Sequence, residues 1–454
     1  MIITTIGEVG KMLSSEVIQC EDLNKKIKGV SIDSRKVEEG MIYVPLKGNR
    51  VDGHDFIDSV KEKKAALSLW DKENVPYPTG IPLVLVEDTQ EALQKLAKEY
   101  LHTLSCVVIG VTGSNGKTSC KDMLYSIFSQ EKKTQKTQGN RNNEIGLPLT
   151  ILDFDADIEV AILEMGMENF HEIEQLCSIA PLDVAIITTI GSAHMENLKD
   201  KFGIARAKLE ILTNSKPDAL FIYNKECPEI EAVMNTLEID PRKEVVSFGE
   251  GGDICLTSPI SYEENGISFQ TSEFKDIVHL KAFGDMQAMN ALPAIYAARA
   301  LKIKKESILN GLKNLEMTKM RTHLIDIHPA KILDDSYKSN PESAKAALDT
   351  LMNIPGERHV AILSDMLDLG PETSQLHEEI GKYALEIGVD ALYCVGELSK
   401  KTAEGFINGK WYPNKEELLC DSKQERTRDC VILVKGSRAM EMDTIVKALQ
   451  EVEK

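Results

Sequence analysis

The sequence lacks long apolar runs. Among its 454 residues, none approaches the roughly 18 consecutive apolar residues needed to span a bilayer. The longest runs, such as 106–111 and 185–190, have the length of buried strands. Residues 1–8 contain no basic segment before an apolar one. We therefore expect no secretory signal and no membrane insertion.

Cysteine pairs at metal-binding spacing are also absent. The nine cysteines are scattered along the chain, and none forms a CxxC pair. An odd, irregular set argues against a disulfide framework and against a thiolate zinc site. We expect free, mostly buried thiols in a protein of the reducing cytoplasm.

The chain has fewer basic residues than acidic ones. The chain has 53 Lys+Arg against 72 Asp+Glu, which gives a formal net charge of -19. An acidic surface repels phosphate backbones, so we expect no nucleic-acid partner. A small anionic ligand is still compatible, because a local basic pocket can form on an acidic protein.

The composition and length indicate a globular protein of about three domains. The hydrophobic share is 42% and the charged share 28%, both ordinary values. We predict an α/β fold with domains at residues 1–100, 101–322 and 323–454. The second and third alternate β-branched apolar runs with helical segments, a pattern typical of parallel sheets covered on both faces. Predicted strands begin near Met41, Leu83, Cys106, Val160, Val184, Ala219, Lys331, His359, Ala391 and Val431.

Residues 244–283 depart from this alternation of strands and helices. They contain short alternating segments and the turn Glu264-Asn265-Gly266, so we expect an antiparallel appendage on the second domain. Strands and helices alternate again in the third domain, where helices are predicted from Pro341, Ser374 and Met440. The third domain is therefore predicted to be a second doubly wound unit.

The strongest local signal is the glycine-rich stretch at residues 110–119. It follows an apolar strand and precedes a helical segment with one apolar face, so its backbone N–H groups can cradle phosphate. Lys117 can reach the β- and γ-phosphates of a nucleotide, and Thr118 can hold Mg²⁺. Val111 replaces the first glycine of the usual pattern. The Gly116-Lys117-Thr118 core still favours a nucleoside triphosphate site over an ordinary turn.

Residues at or near the ends of neighbouring strands add candidate metal ligands. Glu164 follows the strand from Val160 and could hold Mg²⁺ beside Thr118, or could be a solvated strand-end carboxylate. His194 follows the strand from Val184, although a lone histidine is more often packed than metal-bound. Lys208 by itself would be a solvated helix lysine.

Several ordered motifs, spread over nearly the whole chain, resemble those of the Mur ligases, the ATP-dependent amide-forming enzymes of peptidoglycan precursor synthesis. The motifs lie at residues 33–35, 52–54, 110–119, 137–148, 163–166, 190–194, 203–208, 333–341, 365–370 and 434–438. The resemblance implies three domains. A mixed α/β N-terminal domain would bind the UDP end of the substrate, and a central parallel-sheet P-loop domain would bind ATP. A C-terminal Rossmann-like domain would bind the incoming amino compound.

The resemblance also implies roles for particular residues. The nucleotide would be held by Gly113, Ser114, Asn115, Gly116, Lys117, Thr118, Ser119, Asn290, Arg321 and Asp335. Two Mg²⁺ ions would be held by Thr118, Glu164, His194 and Lys208, the last after carbamylation by CO₂. The catalytic set would be Lys117, Glu164, His194 and Lys208. The remaining substrate contacts would come from Ser34, Arg35, Lys47, His54, Asn140, Asn142, Asn143 and Arg438.

Within the family, the C-terminal motifs resemble those of members that add a dipeptide. The Asp-Asn-Pro-Arg string usual in members that add the third residue is absent. The implied substrates are therefore ATP, UDP-MurNAc-tripeptide and D-alanyl-D-alanine, and the implied route is an acyl phosphate. We expect a monomer.

Two motifs depart from the family pattern. Met286 and Gln287 stand where His and Asn are usual before Asn290, and Pro293 suggests a kink or a late helix start. Lys338 begins a Lys-Ser pair where Asn-Ala is more typical. Two alternatives stay open. One is a related ligase with another acceptor, such as a folylpolyglutamate-type enzyme, against which the motif at residues 33–35 argues. The other is a nucleotide-binding relative that has lost turnover, which the altered segment before Asn290 alone supports.

Overall fold

The computed structural model describes residues 1–192 and 195–451 of the chain. The strands of the first part are β1 Ile3–Thr5, β2 Val17–Ile18, β3 Lys26–Lys28, β4 Val30–Ser31, β5 Ile42–Tyr43, β6 Leu67–Asp71 and β7 Leu83–Val86. Its helices are α1 Ile6–Leu13, α2 Ile57–Glu62 and α3 Thr89–Thr103. A five-stranded sheet has the order β2-β7-β6-β5-β4, parallel except for the β2–β7 pair.

Helix α3 connects the first part to the second. It begins because the Asp88 carboxylate accepts a hydrogen bond from the Glu91 N–H at 2.8 Å. Its buried face includes Leu93, Leu96 and Ala97, as the spacing predicts. The predicted boundary at residue 100 falls inside this helix, and the exact domain limits stay a prediction.

The second part is built on a six-stranded sheet that is parallel throughout. Its strands are β8 Val107–Thr112, β9 Thr134–Lys136, β10 Val160–Glu164, β11 Val184–Ile187, β12 Leu220–Asn224 and β13 Glu244–Phe248. Their order is β13-β12-β11-β8-β10-β9. The helices are α4 Lys117–Phe128, α5 Gly146–Leu152, α6 Glu172–Ile179, α7 Met195–Leu198, α8 Lys201–Leu209, α9 Pro228–Met234, α10 Asp285–Ala300 and α11 Lys305–Lys313.

The expected antiparallel appendage is smaller than predicted. Only β14 Ser261–Glu263, β15 Gly266–Thr271 and β16 Phe274–Leu280 form the antiparallel sheet, with the predicted turn between β14 and β15. Strand β13 instead pairs in parallel with β12 and extends the main sheet, so its assignment to the appendage was wrong. The buried residues Val246 and Phe248 bring it there, because they pack into the core beneath that sheet.

The third part repeats the alternation of strands and helices. Its strands are β17 His323–Ile327, β18 Ala330–Asp335, β19 Arg358–Ser364, β20 Ala391–Val395, β21 Lys410–Tyr412 and β22 Cys430–Lys435. Its helices are α12 Pro341–Asn353, α13 Thr373–Glu386, α14 Lys400–Glu404, α15 Lys415–Ser422 and α16 Asp443–Gln450. The sheet order is β17-β18-β22-β19-β20-β21, parallel except for the β17–β18 pair.

Both faces of the central sheet are covered. One apolar core packs α4, α10 and α11 against the face that includes Ile109 and Ile162. A second core joins the opposite face, including Val108 and Ala161, to the buried residues of α1 and α3. The carboxyl ends of the central strands are therefore the edge left for ligands. In the described ranges no helix is both long and apolar enough to cross a membrane.

Candidate functional site

A cavity of about 1420 Å³ lies where the three parts of the chain meet. The first part contributes Asp33 and neighbouring residues, and the second contributes the loop that follows β8. The third contributes the ends of β18 and β22 with the start of α12. Each part of the chain therefore supplies one wall of the cavity.

The loop between β8 and α4 has the backbone of a phosphate-binding loop. Gly113 has φ +151° and Gly116 has φ +82°, in the region that favours glycine. A Cβ on Gly113 would overlap the Thr188 hydroxyl, and one on Gly116 would overlap the Asn290 amide oxygen. The loop is held by Thr189, whose carbonyl accepts from the Ser114 N–H at 2.8 Å. Glycine is therefore required at both positions by conformation and by packing.

Lys117 begins α4 and turns back over this loop. Its ammonium group donates to the Gly113 carbonyl at 2.5 Å. The pKa of Lys117 is lowered to about 7: burial is the main cause, the charges of Lys338 and Arg321 add to it, and the charge of Glu164 opposes it. A phosphate group in the cavity would supply the negative charge that this lysine lacks.

Glu164 ends β10 directly beside the loop, as predicted. Its carboxylate accepts from the Thr118 hydroxyl at 3.0 Å and from the Asn142 amide at 2.9 Å. It also pairs with Lys121 at 3.2 Å, and both side chains are almost fully buried. Burial raises the pKa of Glu164, but the charges of Lys121 and Lys117 outweigh it and the net shift is downward. Glu164 is thus a buried carboxylate within contact distance of the Thr118 hydroxyl.

The third part of the chain is bound to this loop by polar contacts. The side-chain amides of Asn115 and Asn340 exchange hydrogen bonds of 2.9 and 3.3 Å. Glu342, in the first turn of α12, accepts from the Ser192 hydroxyl at 2.7 Å and from its N–H at 3.2 Å. Lys201 lies 3.4 Å from the same carboxylate. The start of α12 is therefore fixed against the nucleotide loop.

Comparison with known proteins agrees with this architecture. Three family models match consecutive segments: "Mur ligase family, catalytic domain" over residues 26–101, "Mur ligase middle domain" over 111–298, and "Mur ligase, glutamate ligase domain" over 320–438. The chain is 36% identical over 99% of both chains to the UDP-N-acetylmuramoyl-tripeptide–D-alanyl-D-alanine ligase of Bacillus subtilis. It is 31% identical over 99% of both chains to the enzyme of that name from Escherichia coli. The chain belongs to the Mur ligase family.

Solved structures of related Mur ligases have the same fold. MurF from Acinetobacter baumannii has a TM-score of 0.92 at 29% identity, covering 100% of both chains. MurF ligase from Thermotoga maritima in complex with ADP has a TM-score of 0.83 at 29% identity, covering 93% of this chain and 97% of that one. A folylpolyglutamate synthase from Mycobacterium tuberculosis has a TM-score of 0.65 at 18% identity, covering 80% of this chain and 95% of that one, and shares the fold alone.

Most of the predicted site residues of this Mur ligase border the one cavity. Those that line it are Ser114, Asn115, Gly116, Lys117, Thr118, Ser119, Asn140, Asn142, Asn143, Glu164, Asn290, Arg321, Asp335 and Arg438. Lys208 is buried in α8, where burial lowers its pKa well below the ordinary value and the charges of Lys117 and Lys338 lower it further. His194 lies outside the described residues.

Four predicted substrate residues lie away from the cavity lining: Ser34, Arg35, Lys47 and His54. Arg35 pairs with Asp33 at 2.9 Å and its side chain is 86% exposed. Lys47 pairs with Asp71 at 2.6 Å, and the buried His54 lies 2.6 Å from Asp52. Their roles in substrate binding stay a prediction.

The altered segment near Asn290 folds as a continuous helix. Helix α10 begins at Asp285 and runs through Pro293 to Ala300, so a late helix start is wrong. The Asn290 amide donates to Gln287 at 3.4 Å and packs against Gly116. Met286 lines the cavity beside Gln287.

The sequence analysis gave no site role to several residues that the structure brings to the site: Lys121, Lys338, Asn340, Glu342 and Lys435. Lys121 lies one helical turn after Lys117 on the same helix, which was an available signal. The Asn-Pro pair at residues 340–341 has the form of a capped helix start, and Asn340 does cap α12. Nothing local indicated that Glu342 contacts Ser192.

Proposed function

We propose that the chain is an ATP-dependent, ADP-forming ligase that joins D-alanyl-D-alanine to the C-terminal carboxylate of UDP-MurNAc-tripeptide. The product is the UDP-MurNAc-pentapeptide precursor of peptidoglycan. The observation that carries this proposal is 36% identity over 99% of both chains to an enzyme named for this reaction. The ADP complex of the Thermotoga maritima relative supports ATP as the nucleotide.

The reaction needs ATP because a carboxylate does not react with an amine at neutral pH. In the proposed route, a carboxylate oxygen of the tripeptide attacks the γ-phosphorus and ADP leaves. The amine of D-alanyl-D-alanine then attacks the acyl carbon and phosphate leaves. Lys117 and the loop N–H groups would stabilise the phosphates, and Arg321 would add a second cation beside them.

The residues present fit one Mg²⁺ ion beside the phosphates. A hydroxyl oxygen of Thr118 and a carboxylate oxygen of Glu164 lie 3.0 Å apart, and hard oxygen donors are what Mg²⁺ prefers. Within residues 1–192 and 195–451, no group of three His, Cys, Asp or Glu could hold a metal by itself. Phosphate oxygens of ATP and water would supply its other ligands. It would neutralise charge on the transferred group.

A second Mg²⁺ site would involve His194 and a carbamate on Lys208. Only a neutral amine attacks CO₂, and burial favours the neutral form of Lys208. The Nζ–C bond forms as one C=O π bond of CO₂ breaks, a proton leaves Nζ, and the product is a carbamate anion in place of a buried neutral amine. We expect Lys208→Ala to lower turnover by orders of magnitude, with Lys225→Ala, an exposed lysine, as the control. Near-normal turnover in Lys208→Ala would contradict the assignment.

The other assignments are part of the same proposal. Asn290 and Asp335 would contact the adenosine, and Asn140, Asn142 and Asn143 would contact the tripeptide end. Arg438 pairs with Asp443 at 2.8 Å, is half-exposed, and could bind the dipeptide carboxylate with two hydrogen bonds. A monomer in the cytoplasm stays the expectation.

Phosphate release from ATP tests the proposal. The assay compares UDP-MurNAc-tripeptide with and without D-alanyl-D-alanine, and mass spectrometry identifies the product. Release that needs both substrates and yields the pentapeptide supports the proposal. Turnover only with another acceptor would favour a different ligase, and no turnover with any acceptor would favour an inactive relative.

A further inference from the structure

His377 is a buried histidine that the proposed route does not use. It lies in α13, is fully buried, and contacts the loop of residues 365–372 between β19 and α13. Its Nε2 atom accepts a hydrogen bond from the Met366 N–H at 3.0 Å. Its Nδ1 atom lies 2.8 Å from the Thr373 carbonyl oxygen. The ring therefore joins the start of the loop to the first turn of the helix that follows it.

These two partners define the protonation state of the ring. Because a backbone N–H only donates, Nε2 carries no proton, and Nδ1 carries the proton that it donates to the Thr373 carbonyl. Burial lowers the pKa of His377 and outweighs the opposing effects of the Thr373 hydrogen bond and the Asp365 charge. Both nitrogens of the neutral ring are thus engaged by backbone groups, which indicates a structural link and not an acid or a base.

Ser437 holds the same loop from the end of β22. Its hydroxyl donates to the Asp365 carbonyl at 2.8 Å and accepts from the Leu367 N–H at 3.2 Å. The Asp365 carboxylate accepts from the Ser399 N–H at 2.8 Å. Together with His377, these contacts fix the loop to three segments of the third part of the chain.

The fixed loop presents two residues to the central cavity, Leu367 and Asp368, on the wall that also carries Arg438. Leu367 is partly buried, whereas Asp368 is exposed and has a left-handed φ of +62°. A left-handed backbone is uncommon for residues other than glycine and persists where the surroundings hold it. One wall therefore combines an apolar side chain, a carboxylate and a guanidinium.

This combination matches the chemistry of D-alanyl-D-alanine. The free dipeptide has an ammonium group at one end, a carboxylate at the other and two methyl groups. Asp368 has the charge opposite to the ammonium, and Arg438 has the charge opposite to the carboxylate. Leu367 offers apolar surface for a methyl group.

We propose that His377 is a positioning residue for the incoming dipeptide, because it holds Leu367 and Asp368 where they receive it together with Arg438. The inference rests on the proposed function for the identity of the acceptor. His377 itself does not line the cavity, so it acts through the loop. Its loss should weaken binding of the dipeptide and leave binding of ATP and UDP-MurNAc-tripeptide unchanged.

Substitutions of His377 and Ser437 should separate the three substrates. In His377→Leu, the KM for D-alanyl-D-alanine should rise about tenfold, as for loss of one supporting hydrogen bond, while kcat and the other two KM values stay within about twofold. His377→Gln offers an amide oxygen to the Met366 N–H and should return this KM to within about threefold of wild type. Ser437→Ala removes the contact with Leu367 and should raise the same KM.

Steady-state phosphate release, with each substrate varied in turn, measures these constants. His359→Leu is the matched control, because His359 also contacts a backbone carbonyl of the third part, that of Ile354, but does not line the cavity. Its three KM values should equal those of wild type. Amide hydrogen exchange followed by mass spectrometry should be faster at residues 365–370 in His377→Leu than in wild type.

Equal rises in all three KM values, or an unchanged KM for D-alanyl-D-alanine, would overturn the inference. If His377→Leu does not fold, the KM values of Ser437→Ala decide, because that variant removes only one hydroxyl group. A wild type that does not ligate would refute the proposed function and, with it, the identity of the acceptor. The exchange measurement would then still show whether His377 holds the loop.

Discussion

Replacing Lys121 by Met should lower the free energy of unfolding, because the buried Glu164 carboxylate loses its ion-pair partner. The two side chains are 1% and 3% exposed, and Nζ lies 3.2 Å from Oε2. At an effective dielectric constant of about 20, Coulomb's law gives roughly 5 kcal/mol at this distance. Measured losses on breaking a buried pair are about 3–5 kcal/mol. Because Thr118, Asn142 and Lys117 still stabilise Glu164, we expect the lower end of that range.

The expected change is large enough for thermal denaturation. For a domain of 150–250 residues, each kcal/mol moves the midpoint by about 2–4 °C, so Lys121→Met should melt roughly 6–12 °C below wild type. Lys132→Met is the matched control, because Lys132 pairs with Glu159 at 2.9 Å and both side chains are about half exposed. Its expected loss is at most about 1 kcal/mol.

Magnesium adds a second, independent readout. A divalent ion beside Glu164 would replace the charge that Lys121 supplied, so Mg²⁺ alone should raise the midpoint of Lys121→Met more than that of wild type. A variant that melts within 2 °C of wild type would refute the electrostatic reasoning. Equal Mg²⁺ stabilisation of both proteins would refute the placement of the ion.

Three further outcomes follow from the site geometry. Glu342→Gln should weaken the apparent ATP affinity by about three- to tenfold in titrations, because a contact that holds the third domain against the second is lost. The melting midpoint should stay unchanged, because this contact is partly exposed. The pKa of Lys117 is about 7 in the folded protein, whereas its ordinary value is 10.5. Between pH 7 and 10.5 the unfolded chain therefore binds more protons than the folded protein. The free energy of unfolding should therefore rise from pH 7 to 10, less steeply in Lys117→Met, as followed by denaturant titration. Gly116→Ala should abolish ADP binding in calorimetry, because its Cβ would overlap Asn290, whereas Gly139→Ala, at φ +58° with open space around it, should bind ADP normally.

Local sequence was sufficient for much of the central part. The pattern at residues 110–119 predicted the turn and the start of α4, because a strand, a glycine-rich turn and a helix are encoded by neighbouring residues. Glu164 was predicted beside Thr118 because the carboxyl ends of parallel strands meet at one edge, and the 3.0 Å contact agrees.

Where the sequence misled, tertiary packing outweighed a local preference. Pro293 costs about 3 kcal/mol inside a helix, yet α10 continues through it since Ala291, Leu292 and Ala294 on either side are fully buried. Strand β13 has alternating character but joins the parallel sheet, because Val246 and Phe248 pack into its core.

The sequence by itself therefore determined the family, the nucleotide loop and the strand-end carboxylate. Only the tertiary structure decided which distant side chains share the cavity with them. Glu342 lies 150 residues from Ser192, and Asn340 lies 225 from Asn115. Such contacts depend on how the domains pack, and a buried lysine such as Lys208 has the same local pattern as a solvated one. Burial, not residue type, gives these groups their chemistry, since it removes the water that would otherwise screen their charges.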